Sequence, residues 1–143
     1  MDRIEKIKEI LKCNNKIMFA YLFGSAAQNK VRFGSDLDIG VYFEQMPVLL
    51  EIGAIVNELE EALGFTIDLV LLNHLYEDYP KLAYSVLSKG NLLFCLDEKL
   101  LTRYKEKTYL RYLDIKPVID LFDRKLEERI KNKKFAVVKN EFR

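Results

Sequence analysis

The sequence has few of the residues that bind zinc or carry out histidine-based catalysis. It contains one histidine, His74, and two cysteines, Cys13 and Cys95, among 143 residues. Because the thiols lie far apart and lack CxxC spacing, no zinc site is expected, and we predict two buried free thiols. A single histidine after an apolar stretch is more often structural than catalytic, which leaves the chemistry to other residues.

Long apolar runs and a strong net charge are also missing. No segment approaches the roughly 20 apolar residues that span a bilayer, and the charged N-terminal segment MDRIEKIKEILK lacks the features of a signal peptide. We therefore expect a cytoplasmic protein without a membrane partner. The net charge of +1 gives no general attraction to nucleic acid. Residues 1–98 nevertheless carry 9 Lys and Arg against 15 Asp and Glu, whereas residues 99–143 carry 14 Lys and Arg against 7 Asp and Glu. The first part of the chain is therefore acidic, which suits a metal site, and the second part is basic.

The sequence is rich enough in apolar residues, at 50%, to form the core of a single domain over residues 1–143. Apolar residues at spacings of three and four predict helices, and short apolar runs predict strands. The predicted order is helix 2–13, strand 16–23, a short helix or turn at 26–30, strand 37–43, helix 48–63, strand 66–72, helix 79–89, strand 91–96 and two further helices divided at Pro117. We predict an α/β (α+β) fold with a small mixed sheet flanked by helices and a C-terminal helical part over about 97–133.

Three aspartates interrupt the apolar strands: Asp36, Asp38 and Asp68. A charge within an apolar strand is costly unless it is paired or binds a metal. Residues two apart on a strand point to the same face, so Asp36 and Asp38 place two carboxylates side by side, about 6–7 Å apart at Cα. If the strand of Asp68 lies next to theirs, three carboxylates meet. Such an oxygen-only cluster favours Mg²⁺ or Mn²⁺ and can hold two ions for nucleotidyl transfer.

A Gly-Ser pair lies at the end of the first predicted strand. Gly24 lets the backbone approach a phosphate, and Ser25 offers a hydroxyl and an amide N–H at a strand-to-helix turn. Arg32 and Lys30, on the loop that returns to the aspartates, are candidate contacts of a triphosphate. Ser35, on the same loop, is a further nucleotide-binding candidate. Ser25 can also cap a helix, and that role uses the same geometry.

The segment FGSAAQNKVRFGSDLDI, residues 23–39, combines Gly-Ser, a ten-residue spacer and Asp-x-Asp. It resembles the signature of the DNA polymerase β-like nucleotidyltransferase superfamily, and Asp68 in TIDLVLLN falls where that superfamily has its third acid. The following LNHL and the short length resemble the MNT branch, the minimal nucleotidyltransferase antitoxins encoded beside HEPN proteins. The resemblance covers about residues 16–74, which it implies are the catalytic core.

The resemblance implies a Mg²⁺-dependent enzyme, with two ions, that transfers AMP from ATP to a tyrosine of a HEPN ribonuclease toxin. Asp36, Asp38 and Asp68 would be the catalytic and metal-binding residues, with Asp68 helping to deprotonate the nucleophile. Gly24 and Ser25 would bind the triphosphate. The toxin would then be a partner in a hetero-oligomer.

Two alternatives remain open from the sequence. The acceptor could be a small alcohol such as an aminoglycoside, although related enzymes with such substrates usually carry an extra helical domain. The chain could also neutralise a toxin by binding alone, in which case its aspartates would not be needed. Strong nucleic-acid binding and a tRNA acceptor are not expected at a net charge of +1. For Tyr104, Tyr109 and Tyr112 core packing or a partner interface is expected rather than nucleobase stacking.

Overall fold

The computed structural model describes residues 2–24 and 36–140, with side chains through residue 131. Its elements follow the predicted order. They are α1 (Arg3–Lys12), β1 (Ile17–Phe23), β2 (Leu37–Phe43), α2 (Leu49–Leu63), β3 (Ile67–Leu71), α3 (Leu75–Asp78), α4 (Pro80–Lys89), β4 (Asn91–Cys95) and α5 (Glu98–Asn140). The predicted small mixed sheet flanked by helices is thus confirmed, with α3 as a short additional helix.

The four strands form one sheet in the order β3-β2-β1-β4. β1 pairs antiparallel with both β2 and β4, whereas β2 and β3 are parallel. Two parallel neighbours need a crossover connection, and α2 supplies it. As a consequence, β2 and β3 begin at the same end of the sheet where β1 ends. All three predicted aspartates and Gly24 are therefore brought to one end.

Apolar side chains cover both faces of the sheet. On one face α1 and α2 pack against β1 and β2, with a fully buried core that includes Ile7, Leu11, Ile17, Leu37, Ile39, Val41, Phe43 and Leu59. On the other face α3, α4 and α5 pack on the sheet through Phe19, Tyr21, Leu72, Leu75, Ala83, Val86, Leu87, Leu101 and Tyr104. The helices on both faces exclude water from the middle of the sheet, so the ends of the strands are the places open to a ligand.

The tyrosines of α5 pack inside the second face. The Tyr104 side chain is 3% exposed, and its ring lies 5.5 Å from the rings of Phe19 and Tyr42. Tyr112 stacks on Tyr84 at 4.1 Å with an interplanar angle of 5°. Core packing, rather than nucleobase stacking, is therefore what Tyr104 does in this fold.

The prediction of two C-terminal helices was wrong, because α5 continues through Pro117 without a break. Proline removes one backbone donor and clashes with the carbonyl four residues earlier, which is why a break was expected. That carbonyl belongs to Leu113, whose side chain is 61% exposed, so water can reach the acceptor that Pro117 leaves without a donor.

Among the helices described, even the 43-residue α5 lacks an apolar stretch that could cross a membrane.

The expectation of two buried thiols was also only partly correct. Both cysteines are free, but Cys13 is exposed and Cys95 is half-buried. Cys13 follows the last turn of α1, where the chain turns toward β1. The apolar spacing of α1 directs Ile7 and Leu11 into the core, and Cys13 lies outside that stripe.

Candidate active site

Two of the three aspartates are direct neighbours across the parallel strands. Asp38 of β2 is in register with Asp68 of β3, and on its other side Asp38 is opposite Phe23, the last residue of β1. Residues in register on adjacent strands have side chains on the same face within about 5 Å. Asp36 immediately precedes β2 and alternates onto this face too. The predicted pairing of strands 37–43 and 66–72 is confirmed, and it brings the carboxylates together.

The carboxylates interact strongly enough to affect protonation. Burial raises the pKa of Asp38, and the negative charges of Asp68 and Asp36 raise it further. A hydrogen bond between the side chains of Asp38 and Asp68 acts in the same direction, because it favours a proton held between them. Asp38 is half-buried, while Asp36 and Asp68 are exposed. Three carboxylates are thus concentrated at this end of the sheet.

The donor chemistry of this cluster fits a hard divalent cation. The three groups are all carboxylates, and a cation between them would remove the repulsion that raises the pKa of Asp38. Across residues 2–24 and 36–140, however, no three acidic, histidine or cysteine side chains are arranged as a ready-made metal cage. Asp38 and Asp68 face each other directly instead. Binding of Mg²⁺ would require these two side chains to separate and Asp36 to turn toward them.

Gly24 packs directly against the Asp38 carboxylate of this cluster. Its φ is +71°, in the left-handed region that L side chains rarely adopt. A β-carbon at this position would collide with Oδ2 of Asp38 and come within 3.3 Å of its Cγ. Glycine is therefore required here for two independent reasons, backbone conformation and space. Gly24, the first residue of the predicted Gly-Ser turn, lies against Asp38.

The other predicted nucleotide contacts lie outside the described residues. These are Ser25, Lys30, Arg32 and Ser35, together with the predicted short helix or turn at 26–30. The chain leaves the described part at Gly24 and returns at Asp36. Both ends of the predicted phosphate-binding loop are thus fixed next to Asp38, and the roles of the four residues remain predictions.

The single histidine is far from this cluster. His74 follows β3 at the end opposite Asp68, and its side chain is 63% exposed beside Glu77, with 3.6 Å between Nδ1 and Oε2. Its neighbour Asn73 has a structural role: the side-chain amide donates to the carbonyl of Phe43 at 2.8 Å and accepts from the Phe43 N–H at 3.0 Å. The LNHL segment therefore closes the far end of the β2–β3 pair and lies outside the candidate site.

One residue near the cluster was not singled out from the sequence. Oε2 of Glu60, on α2, accepts a hydrogen bond of 2.9 Å from the Ile67 N–H, directly before Asp68. Nothing in the sequence marks Glu60, because it is one of four glutamates on α2 and the exposed side of a helix is commonly acidic. Only the three-dimensional packing of α2 against β3 distinguishes it.

The fold is that of a nucleotidyltransferase. The family model described as "Polymerase beta, Nucleotidyltransferase" matches residues 5–99. The chain belongs to this polymerase β-type nucleotidyltransferase family, and the match contains all four strands and every predicted site residue.

Sequence relatives of the family come from an archaeon. The chain is 35% identical over 80 residues to "Putative protein adenylyltransferase MJ0128" of Methanocaldococcus jannaschii, an alignment that covers 56% of this chain and 82% of the relative. A second protein of the same printed description and organism, MJ1217, is 32% identical over 78 residues, covering 54% of this chain and 80% of the relative.

Solved structures of similar fold come from toxin–antitoxin complexes. One, "Crystal structure of the toxin-antitoxin with AMP-PNP", contains a chain with a TM-score of 0.72 and 24% identity, covering 87% of this chain and 98% of that chain. Another is a Shewanella oneidensis complex of a tri-AMPylated HEPN toxin with an MNT antitoxin, with a TM-score of 0.67 and 22% identity, covering 87% of this chain and 96% of that one. At these identities the likeness establishes the shared fold.

Proposed function

We propose that this protein transfers AMP from ATP, in the presence of Mg²⁺, to a tyrosine hydroxyl of a HEPN-type toxin and thereby acts as its antitoxin in the cytoplasm. The observation that carries the proposal is the register of Asp38 with Asp68, with Gly24 packed against the Asp38 carboxylate. A paired carboxylate cluster beside a turn that only glycine can form suits an enzyme that places a triphosphate against metal-bound oxygens.

The proposed roles follow from the positions of the side chains. Asp36, Asp38 and Asp68 would hold Mg²⁺, which would neutralise charge on the triphosphate. Gly24 would let the backbone approach the phosphates, with Ser25, Arg32 and Ser35 as further contacts. Asp68, exposed at the edge strand, would accept the proton of the acceptor hydroxyl. The acceptor oxygen then bonds to the α-phosphorus while the bond to the β-phosphate oxygen breaks, so AMP is transferred and pyrophosphate leaves.

A protein acceptor suits this chain better than a small alcohol. After β4, the part of the chain that the structure describes adds one long helix, α5, rather than a helical domain that could enclose a drug. Asp36 and Asp68 are exposed, so the cluster is open to a group presented by another molecule. The relatives named protein adenylyltransferases and the fold neighbours from HEPN–MNT complexes support the same choice.

The test is transfer of label from α-³²P-ATP to a co-expressed HEPN partner with Mg²⁺. We expect label on the partner with the wild-type protein and none with the Asp36→Ala/Asp38→Ala variant. A partner tyrosine replaced by phenylalanine should remain unlabelled in the same assay. Label on an aminoglycoside but not on the partner would support the small-molecule alternative.

The same variant separates catalysis from occlusion. If the doubly substituted protein binds the toxin but no longer protects cells from it, protection depends on transfer. If it protects cells fully and no nucleotide is transferred by the wild type, the protein acts by binding alone, and the proposed enzymatic function is wrong.

A further inference from the structure

We propose that Glu60 is a positioning residue that holds the start of β3, and with it Asp68, in place for metal binding and transfer. The expected effect on transfer rests on the proposed function. The claim that Glu60 holds the start of β3 rests on geometry alone. Glu60 lies on α2, and its Oε2 accepts the Ile67 N–H at 2.9 Å, one residue before Asp68.

The hydrogen bond matters because β3 is an edge strand. Within residues 2–24 and 36–140, the sheet order places β2 on one side of β3 and no strand on the other. Successive residues of a strand direct their backbone groups to opposite sides. The Thr66 carbonyl accepts the Leu37 N–H at 2.9 Å, which directs Thr66 toward β2 and the Ile67 N–H toward the open edge. Glu60 is the group that satisfies this outward donor.

Glu60 also closes the short connection between α2 and β3. Its backbone carbonyl accepts the Gly64 N–H at 2.9 Å, and Gly64 has the left-handed conformation, with φ +75°, that ends the helix. One residue thus fixes the end of the helix through its backbone and the start of the strand through its side chain. The three residues between them, 64–66, are held at both ends.

The consequence reaches the aspartates of both strands. The Thr66–Leu37 hydrogen bond lies between Asp36 and Asp38 on β2, and the Glu60–Ile67 hydrogen bond lies next to Asp68 on β3. Without the Glu60 carboxylate, the Ile67 N–H would lose this acceptor, and the start of β3 would be held only by its pairing with β2 and by the burial of Ile67 in the core. Asp68 would then sample positions away from Asp38, and small misplacements of catalytic groups cost large factors in rate.

Four variants and two measurements that do not depend on transfer activity test the proposal. The variants are Glu60→Ala, which removes the acceptor, Glu60→Gln, which keeps an amide oxygen at the same reach, Glu61→Ala, an exposed neighbour on the same helix, and Asp68→Ala as a reference for a lost carboxylate. Backbone amide exchange by NMR reports the strand start, and Mn²⁺ titration followed by electron paramagnetic resonance reports the metal site. Transfer kinetics are measured on the same proteins.

In Glu60→Ala we expect the Ile67 amide to exchange at least about tenfold faster, as the loss of a hydrogen bond to a charged group implies, while the amide of Ala20 in β1 keeps its protection. Mn²⁺ should bind about tenfold more weakly, and kcat should fall about tenfold with KM for ATP unchanged. Glu60→Gln should restore most of each value, and Glu61→Ala should match the wild type.

Equal Ile67 exchange and equal Mn²⁺ affinity in Glu60→Ala and Glu61→Ala would overturn the proposal. Equal loss of protection at Ala20 and Ile67 would also overturn it, because the effect would then be general unfolding. If the wild type transfers no nucleotide at all, the proposed function fails, yet the exchange and Mn²⁺ measurements still decide whether Glu60 positions Asp68.

Discussion

Gly24 and Asp38 touch in a way that leaves no room for a side chain: a β-carbon on Gly24 would overlap the Asp38 carboxylate. The contact joins the end of β1 to the start of β2 and fixes the carboxylate between the Gly-Ser turn and Asp68. It therefore links Gly24, the first residue of the turn predicted to bind phosphate, to the carboxylates predicted to bind metal.

Gly24→Ala should abolish transfer, with a fall of at least about a hundredfold, because the Asp38 carboxylate must move. Gly64→Ala is a matched control. Gly64 has nearly the same φ, +75°, but nothing lies within 4 Å of its β-carbon position. Both variants should lose about 1 kcal/mol of stability from left-handed strain, measured by urea unfolding. Only Gly24→Ala should lose activity, and equal activities would show that the contact with Asp38 is unimportant.

Asp38→Asn should remove transfer and stabilise the metal-free protein. The burial and the like charges that raise the pKa of Asp38 are a cost of keeping a carboxylate there, and an amide of the same shape avoids it. We expect a higher Tm than that of the wild type without divalent cations, because the amide carries no charge to be desolvated or repelled. Calorimetry with and without Mg²⁺ measures it. A lower Tm without Mg²⁺ would mean that Asp38 is a structural residue.

The pairing of Asp36 with Asp38 could be predicted from sequence because alternation along a strand depends only on local backbone geometry. The position of Asp68 needed one further assumption, that strand 66–72 lies next to strand 37–43, and the register of β2 and β3 confirms it. Both inferences use rules that do not depend on side-chain packing.

The contacts that could not be predicted depend on packing between distant segments. The Glu60 carboxylate reaches Ile67 only because α2 ends beside an open strand edge. The sequence rules also failed to predict that α5 continues through Pro117. They treat a proline inside a helix as a break and do not consider that water can bond to the Leu113 carbonyl, which lacks its usual donor. The sequence therefore predicted which carboxylates meet but not what holds them.

Asn73→Ala should destabilise the fold by about 2–3 kcal/mol without affecting transfer. The variant leaves the N–H and the carbonyl of Phe43 without the partners that bond them at 3.0 and 2.8 Å. The pair lies at the end of β3 opposite Asp68, so the candidate site should be unaffected. His74→Ala, at an exposed side chain, is the control and should change stability by less than about 0.5 kcal/mol. Urea unfolding measures the stability of both variants. An unchanged midpoint for Asn73→Ala would mean that the two hydrogen bonds to Phe43 do not stabilise the fold.

Pro117→Ala should leave the helical content of the protein unchanged, because α5 already continues through this position. Far-UV circular dichroism measures this directly. Amide exchange near residue 117 should nevertheless slow, since alanine restores the missing donor and removes a local cost of about 3 kcal/mol. Val118→Ala, at a side chain that is 69% exposed, is the control for a substitution without a backbone effect. An increase in helical content in Pro117→Ala alone would indicate two helices separated at the proline.

Tyr21 should make the protein lose stability at alkaline pH. Burial, with smaller contributions from Tyr109 and Cys95, raises the pKa of Tyr21 to about 12 from the ordinary value of 10.0. Below about pH 10 the folded and unfolded states both keep the proton, so stability does not depend on this group. Between about pH 10 and 12 the unfolded chain releases the proton and the folded protein keeps it, so the free energy of unfolding falls, by about 2–3 kcal/mol in total.

Urea unfolding at intervals from pH 9 to 12 measures this dependence, with tyrosinate absorbance as the direct probe. Tyr21→Phe removes one titrating group and should reduce the slope over this window, while Tyr104, whose pKa is also raised by burial, continues to contribute. Tyr79→Phe, at a side chain that is 65% exposed, is the matched control and should retain the wild-type slope. If the two variants had the same slope, ionisation of Tyr21 would not be the cause of the alkaline loss. Because Tyr21 lies in the interior of the sheet, opposite Gly40 in β2, its ionisation should unfold the whole domain rather than one strand end.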